Sequence, residues 1–561
     1  VLFDKVAEAA NAPAPELVES TAVKDIWSAE DGADGPNGLK YRHHHNSVGA
    51  PGIARRSVTY SRCLPDIAPG RSLFVKCGGA AVNAKVAVNG EVVGRHNGSV
   101  TGFCFELTKW MRPHGPNTLD IVVDNYYDFD DLPNAADYTV FGGLYREVKL
   151  IETDPVCIDP TVYGGPGVAI SADAKTGAVK VKTLVSGADD AIVEHEIVGT
   201  GIRVKGDTLT VPSPKLWSPE NPALYTLRTT VRKGTWVDTV EETFGFRTAE
   251  FRADGHFYLN GKKRFIRGVN YHQDKKGKGW AISREDERHA VAVMKEMGCD
   301  GVRTAHYPHS RNLYAECDRQ GLLAWCELPA TDFVSPTPAY RENYLRCARE
   351  MHAQLGNHPS IVMWSLYNEL HVEREDEPFT LKLLRDARAE LRSLDPKRPM
   401  VAATCRIDQM ALNRVPDQLG INIYPGWSRG ESDGHAAEIT RHLAASGRKA
   451  VAVSEYGAGA SVFHHTNPVK RPRTSSRFHP EEYQTRHHVT AYRQMKGNPG
   501  VWGTFAWMMF DTAADNRTEG DHDGINDKGL VCRDHKTRKD AFWFYKANWS
   551  SDQVLHLCGS R

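Results

Sequence analysis

"SREDERHAVAVMKEMGCDGVRTAHYP", residues 283–308, sets the rhythm from which the fold follows. Ser283 can cap a helix with Asp286 three residues on, in the manner of a capping box. Ala290, Val293, Met294 and Met297 then fall at i, i+3, i+4 and i+7, the apolar face of a helix. Gly298 stops it, because glycine takes the left-handed C-cap conformation without a Cβ clash. "GVRTAHYP" (301–308) follows at once as a short apolar strand. A helix set between short apolar strands is a βα unit, the building block of a parallel sheet.

Outward from this unit the pattern repeats. Eight strand candidates, at 264–271, 301–307, 322–328, 361–368, 399–405, 419–424, 449–455 and 502–508, alternate with amphipathic helices. Residues 250–561 are therefore predicted to form a (β/α)8 TIM barrel. Upstream the rhythm is different. "AKVAVNGEVVGRHNG" (84–98) is a hairpin about Asn89-Gly90, and "NTLDIVVDN" (117–125) and "YREVKLIET" (145–153) are further strands. Without a long amphipathic helix, residues 1–155 read as a β-sandwich. Residues 156–249 keep to shorter strands, with a proline-rich loop "LWSPENPALY" (216–225) and an exit strand "FGFRTAEF" (244–251). Their size and turn spacing predict an immunoglobulin-like β-sandwich. Three units suit a chain of 561 residues, for which size alone suggests about three or four domains.

Composition narrows the function. Lys+Arg and Asp+Glu both number 70, so the chain lacks the basic excess of a nucleic-acid binder. No apolar run approaches the roughly 18 residues that span a bilayer. Eleven Cys are scattered without CxxC pairs or zinc spacing, which points to reduced thiols and a cytoplasmic location. The chain starts at Val1 and not Met, so a removed leader, and with it a periplasmic or secreted location, stays open. The "HHH" at 43–45 reads as a solvated loop, since consecutive His share neither a helix nor a strand face. Twelve Trp and twenty Tyr leave room for sugar-stacking surface beside their commoner use in packing.

In such barrels chemistry gathers at the C-terminal ends of the strands. The unusual residues there are His272, His306, Glu327, Glu369, Tyr424, Glu455 and Trp507. "IVMWSLYNEL" (361–370) is an apolar strand that ends in Asn368 and Glu369. "AVAVSEYGAG" (450–459) repeats the device, with Glu455 before a Gly-rich loop that admits close approach. A buried carboxylate is costly unless paired or used. Two of them at one mouth fit glycosidic-bond cleavage, which needs one carboxyl as proton donor and another as nucleophile or base. The bland alternative is a pair of surface Glu at loop starts.

Together, "WSLYNE" and "SEYG" resemble the acid/base and nucleophile motifs of glycoside hydrolase family 2. "FGGLYREV" (141–148) is similar to the end of that family's N-terminal jelly roll, and "WSPENPALY" and "FGFR" to its central sandwich. "GVNYHQD", "GVRTAHYPHS" and "WGTFAWMMFD" match its barrel, so the resemblance runs through nearly the whole chain. It implies that Glu369 is the acid/base and Glu455 the nucleophile of a retaining double displacement. It further implies that Asn368 binds the sugar 2-OH, Arg303 and Tyr424 serve Glu455, and His272 and His306 bind glycone hydroxyls. Trp507 would form the sugar platform, and Asp137 would reach the pocket from the N-terminal domain. The chain departs from the large β-galactosidases at their magnesium site: "CELPATDFVS" (326–335) has Glu327 but no following His. No metal and no other cofactor is therefore expected.

The sugar turns on "GINDKGLVCRDHKTRKDAFWFYKANW" (524–549). Asn526-Asp527-Lys528 fits the Asn-x-Lys motif with which β-glucuronidases grip a carboxylate. Yet Asp527 adds a negative charge, and His522 stands where those enzymes carry a supporting Arg. On that ground the expectation is an exo-acting β-galactosidase, with Asn526 and Asp527 contacting neutral hydroxyls and Lys528 held by Asp527 or another acid. β-Glucuronidase, β-mannosidase and a catalytically inactive carbohydrate binder remain the alternatives. The expected partner is a carbohydrate, with no nucleic acid or membrane; a homo-oligomer is left open.

Overall fold

The computed structural model describes residues 23–27, 57–126, 128–134 and 137–556, for 23–27 the backbone alone. The "HHH" at 43–45 lies outside the described residues. The chain is multidomain, with antiparallel sandwiches ahead of a closed barrel.

Two four-stranded antiparallel sheets form the first sandwich. One joins Ser57–Leu64, Asn117–Asp124, Asn83–Val88 and Glu91–Asn97; the other holds Val23–Trp27, Val148–Thr153, Ser72–Cys77 and Phe103–Glu106. Asn117–Asp124 alternates buried and half-buried positions, the period-two pattern of a strand with one face on a core. The Asn89-Gly90 hairpin forms as the sequence predicts, with φ +53 and +86 at its two central residues, as a type I′ turn requires. In the second sandwich a three-stranded sheet (Val168–Ala172, Ala178–Thr183, Thr208–Thr210) covers a four-stranded one built on Tyr225–Lys233 and Trp236–Phe244.

Eight parallel strands then close a barrel. They are β1 (Ile266–Tyr271), β2 (Gly301–Thr304), β3 (Leu323–Glu327), β4 (Ile361–Asn368), β5 (Met400–Thr404), β6 (Gln418–Asn422), β7 (Val451–Glu455) and β8 (Val501–Ala506). All eight stand where the sequence places them, but β2, β6 and β8 stop two or three residues short of the predicted ends. There the chain leaves the ladder to deliver His306, Tyr424 and Trp507: Trp507 N bonds Tyr456 O, and Met508 N bonds Lys528 O. Helix α1 (Arg284–Met297) carries the predicted capping box, with Ser283 N to Asp286 Oδ2 at 2.9 Å and the reciprocal bond at 3.3 Å. Ala290, Val293, Met294 and Met297 are all buried, and Gly298 adopts φ +88. Truncating Met294 there should cost about 2–5 kcal/mol.

The first sandwich does more than sit beside the barrel. Between Asp124 and Val148 it bonds to segments that follow barrel strands: Asp130 accepts from Ser335 Oγ at 2.9 Å, and Arg146 donates to Gln273 Oε1 at 2.8 Å. The ten described cysteines are free, and no described helix is long and apolar enough to cross a membrane.

Candidate active site

The barrel mouth is organised by Arg303, a fully buried guanidinium on β2. It donates to Glu327 through two nitrogens at 2.9 and 3.1 Å, to Asn270 Oδ1 at 3.0 Å and to Asn368 Oδ1 at 2.8 Å. Its Nη1 also donates to Glu455 Oε1 at 2.7 Å. Burial alone would lower its pKa, but the two carboxylates outweigh that and raise it. A buried cation of this kind is tolerable only because the network is complete.

Glu455 ends β7 with both oxygens held. The Tyr424 hydroxyl donates to Oε2 at 2.8 Å, opposite the Arg303 bond to Oε1. His306 Nε2 stands 3.8 Å from Oε1, and its Nδ1 lies 2.9 Å from Glu327 Oε1. A carboxylate fixed at both oxygens has one geometry to present to a substrate.

β4 ends at Asn368, as the sequence places it, and Glu369 follows directly. Glu369 turns away one residue later at φ +47, while its N–H still bonds Ala403 O at 2.9 Å. Left-handed backbone costs an L-residue about 1–2 kcal/mol and collects at functional sites. Here it re-aims the carboxyl into the mouth. Burial first, then the charges of Glu455 and Asp332, push its pKa well above the ordinary carboxylate range. A carboxyl that keeps its proton near neutrality can serve as a general acid. Asn368 Oδ1 accepts from Arg303 and from Asn422 Nδ2 at 3.0 Å, which leaves its amide N–H groups for other partners.

Trp507 is 7% exposed, and its ring stacks on His306 with centroids 5.1 Å apart at 13°. One indole face is thus covered by the His306 ring. His272 meets Trp507 edge-on at 5.3 Å; its Nδ1 faces the Tyr307 hydroxyl at 3.1 Å while its buried Nε2 has no partner. Glu327 is spoken for by Arg303, His306 and the Ser365 hydroxyl at 2.9 Å.

The loop at 524–539 corrects the charge reading made from the sequence. Asp527 does not hold Lys528. Its carboxylate is bound by His479 Nδ1 at 2.6 Å, and its main-chain oxygen accepts from Lys539 Nζ at 2.8 Å. Burial pushes the Asp527 pKa up, but His479 holds it below the usual range. Gly459 permits this pairing, since a Cβ there would stand 2.3 Å from Asp527 Oδ1. Asp527 Oδ2 is therefore committed to His479 and not to Lys528.

Lys528 is 6% exposed and has no carboxylate within ion-pair distance among the described residues. Its ammonium lies 3.4 Å from Asn526 Oδ1 and 5.7 Å from the centre of the Trp427 ring. Burial, then the Arg517 charge, lowers its pKa to about 8. Asn526 Nδ2 is buried and unpartnered.

Several neighbours escaped the sequence reading. Arg517 is the arginine nearest in effect to Lys528, whereas His522 is exposed on the surface. Asp137 does reach this region, through an ion pair with Arg517. Tyr138, the residue beside Asp137, packs against His272 at 4.7 Å and has a buried hydroxyl without a partner. Its place next to a chosen acidic residue was the available signal; nothing in the sequence marks Asp332 or Arg517.

Comparison with known proteins fits this geometry. Residues 252–552 match the model of the glycosyl hydrolases family 2 TIM barrel domain, and 167–247 match glycosyl hydrolases family 2. A β-glucuronidase of Bacteroides fragilis is 34% identical over 528 residues, covering 88% of this chain and 75% of the relative. A β-galactosidase of Thermoanaerobacterium thermosulfurigenes is 29% identical over 330 residues, 55% of this chain and 45% of its own. Among solved structures, an FMN-binding β-glucuronidase from Facaelibacterium prausnitzii L2-6 superposes with a TM-score of 0.87 at 29% identity, covering 96% of this chain and 88% of that one.

Proposed function

Because the chain belongs to glycosyl hydrolases family 2 and is thus a β-glycosidase, we propose that it is a retaining, exo-acting β-glucuronidase. Glu369 protonates the glycosidic oxygen while Glu455 attacks the anomeric carbon, releasing the aglycone and leaving a glycosyl ester on Glu455. Glu369, now deprotonated, takes a proton from water, whose oxygen attacks the anomeric carbon and frees Glu455. Arg303 and Tyr424 hold the nucleophile in place throughout. With Glu455 esterified its charge is gone, so the pKa of Glu369 drops as its role changes from acid to base.

One observation carries the choice of sugar: the Lys528 ammonium is buried with no carboxylate in ion-pair contact among the described residues, Asp527, Asp137 and Glu519 reaching it only at longer range. A buried unpaired cation is costly, and a uronate carboxylate is the partner that would complete it. Asn526 Nδ2, buried and unpaired beside it, supplies a neutral donor to the same group. This reading takes the place of the neutral hexose expected from the sequence, which rested on the Asp527 charge, on His522 in place of an Arg, and on Lys528 being held by Asp527 or another acid. Galactose is favoured by the exposed His522 in place of the usual supporting Arg, by the negative charge of Asp527 and by the β-galactosidase among the relatives.

The test is a matched panel of nitrophenyl β-glucuronide, β-galactoside and β-mannoside. Lys528→Ala should lower kcat/KM on the glucuronide selectively by about 2–5 kcal/mol, roughly 30- to 5000-fold. A wild-type enzyme that prefers the galactoside, or a Lys528→Ala variant that loses all three substrates alike, would refute the glucuronide assignment.

A further inference from the structure

Past Glu369 the chain brings His371 beside the end of β5, where Cys405 follows Thr404. The Glu369 carboxylate, the His371 imidazole and the Cys405 thiol each offer one donor atom, and these atoms lie within 4.8 Å of one another. Cys405 Sγ is 3.9 Å from His371 Nε2. None of the three belongs to the Arg303 network that fixes Glu455. We infer that they form a binding site for a thiophilic divalent cation, zinc foremost, which captures the acid/base carboxyl and inhibits the enzyme reversibly.

The donor set argues for the class of ion. One sulfur, one imidazole nitrogen and one carboxylate oxygen suit zinc and its softer neighbours. Magnesium and calcium prefer oxygen ligands throughout, so they should bind here poorly. Zinc bonds of about 2.3 Å to sulfur and about 2.0–2.1 Å to nitrogen place tetrahedral ligand atoms roughly 3.3–3.8 Å apart. The Sγ–Nε2 spacing already approaches that, and small side-chain rotations bring in the carboxylate. Three protein ligands leave a fourth position for water.

Arg406 is the competitor. It donates to His371 Nδ1 at 3.0 Å and is paired with Asp408 through two bonds at 2.7 and 2.9 Å. With Nδ1 accepting, the ring carries its proton on Nε2, the atom nearest the thiol. Metal binding must therefore break the Arg406 contact so that the proton moves to Nδ1 and Nε2 is freed, and it releases the Cys405 thiol proton and the Glu369 carboxyl proton to solvent. Asp408 retains the guanidinium after that break.

The binding claim stands on geometry alone, whereas the inhibition claim rests on Glu369 being the acid/base. Chelator-treated full-length enzyme is titrated with zinc by calorimetry and with cobalt(II) by absorbance, and nitrophenyl glycoside turnover is measured in parallel. The expected result is one ion per chain and a thiolate-to-cobalt band in the near ultraviolet. Affinity should fall at least about tenfold in both His371→Ala and Cys405→Ala, a size seen even for supporting groups around metals. Arg406→Ala should bind zinc more tightly. Zinc should inhibit the wild type over its binding range, relative to each variant's own metal-free rate, and chelator should reverse it. Equal zinc affinity in wild type and Cys405→Ala, or no sulfur-to-cobalt band, would overturn the site. If the ion binds through Cys405 and turnover is untouched, the inhibitory site is overturned; Glu369→Gln separates the causes, since unchanged zinc affinity there shows that the ion does not take the carboxyl, whereas weakened affinity shows that Glu369 is a ligand but not the acid/base.

Discussion

The floor of the barrel mouth and its rim treat buried charge in opposite ways. On the floor, Arg303 is surrounded by acceptors: Glu327, Glu455, Asn270 and Asn368 together satisfy it. On the rim, Lys528 is buried almost as deeply, and among the described residues its ammonium contacts an amide oxygen at 3.4 Å and an indole ring, with Asp527, Asp137 and Glu519 acting on it only at longer range. A completed network serves the protein itself, because it fixes the nucleophile. An incomplete one is paid for by a ligand, since the protein alone gains nothing by burying a lone ammonium. On the proposed function, the floor holds the machinery and the rim reads the substrate.

The severest break in this contrast comes from the floor. Glu455→Gln should abolish turnover, by at least ~10⁴-fold, with circular dichroism and chromatographic behaviour unchanged, because among the described residues no other carboxylate stands bound to both Arg303 and Tyr424. Residual activity near that of the wild type would remove Glu455 from the role of nucleophile.

Glu369→Gln should lose less, on the order of 10²–10⁴-fold, and differently. A nitrophenyl substrate has a good leaving group and should release one equivalent before the glycosyl-enzyme stalls. In Glu369→Ala, azide should restore part of the rate and yield a β-glycosyl azide, which chromatography would detect. If azide instead rescued Glu455→Ala with the β-product, the two roles would be exchanged.

Stability should separate floor from rim. Arg303→Met strands Glu327 and Glu455 and should cost about 3–5 kcal/mol, seen as a lower unfolding temperature of the barrel. Lys528→Met, which replaces a lone buried ammonium by an apolar chain of similar length, should leave that temperature unchanged or raise it at pH 7. Equal losses in both would mean that Lys528 has a protein partner after all.

The smallest effect is one of pH. The folded Lys528 titrates near 8, below its ordinary 10.5. Between those values the unfolded chain holds a proton that the folded chain has lost, so stability should climb with pH across that window and stay flat below it. Lys528→Met should remove the climb. For activity the direction reverses: kcat/KM on the glucuronide should fall above about pH 8 as the ammonium discharges. Loss of the Glu369 proton adds a fall above its raised pKa, and that part alone should appear with a galactoside.

Much of this molecule is written locally. Helix α1 carries its start, its buried face and its stop within residues 283–298, and the structure follows each. The eight strands and the glutamates at the ends of β4 and β7 are equally local, because strand length and the switch from apolar to acidic residue are properties of a few neighbours. Which side chain answers which charge is not local. From the sequence, Asp527 beside Lys528 looks like its partner; in the fold His479, 48 residues away, takes that carboxylate at 2.6 Å. The same holds for Arg517 against Asp137, and for His371 and Cys405, which come to the flank of Glu369 only because β4 and β5 are neighbours in the barrel. Hydrogen bonds and ion pairs act over a few ångströms in space, whatever their separation along the chain. The amino-acid sequence by itself therefore determined the barrel and its two carboxyls, and tertiary structure alone decided which charges stay unpaired for a substrate to meet.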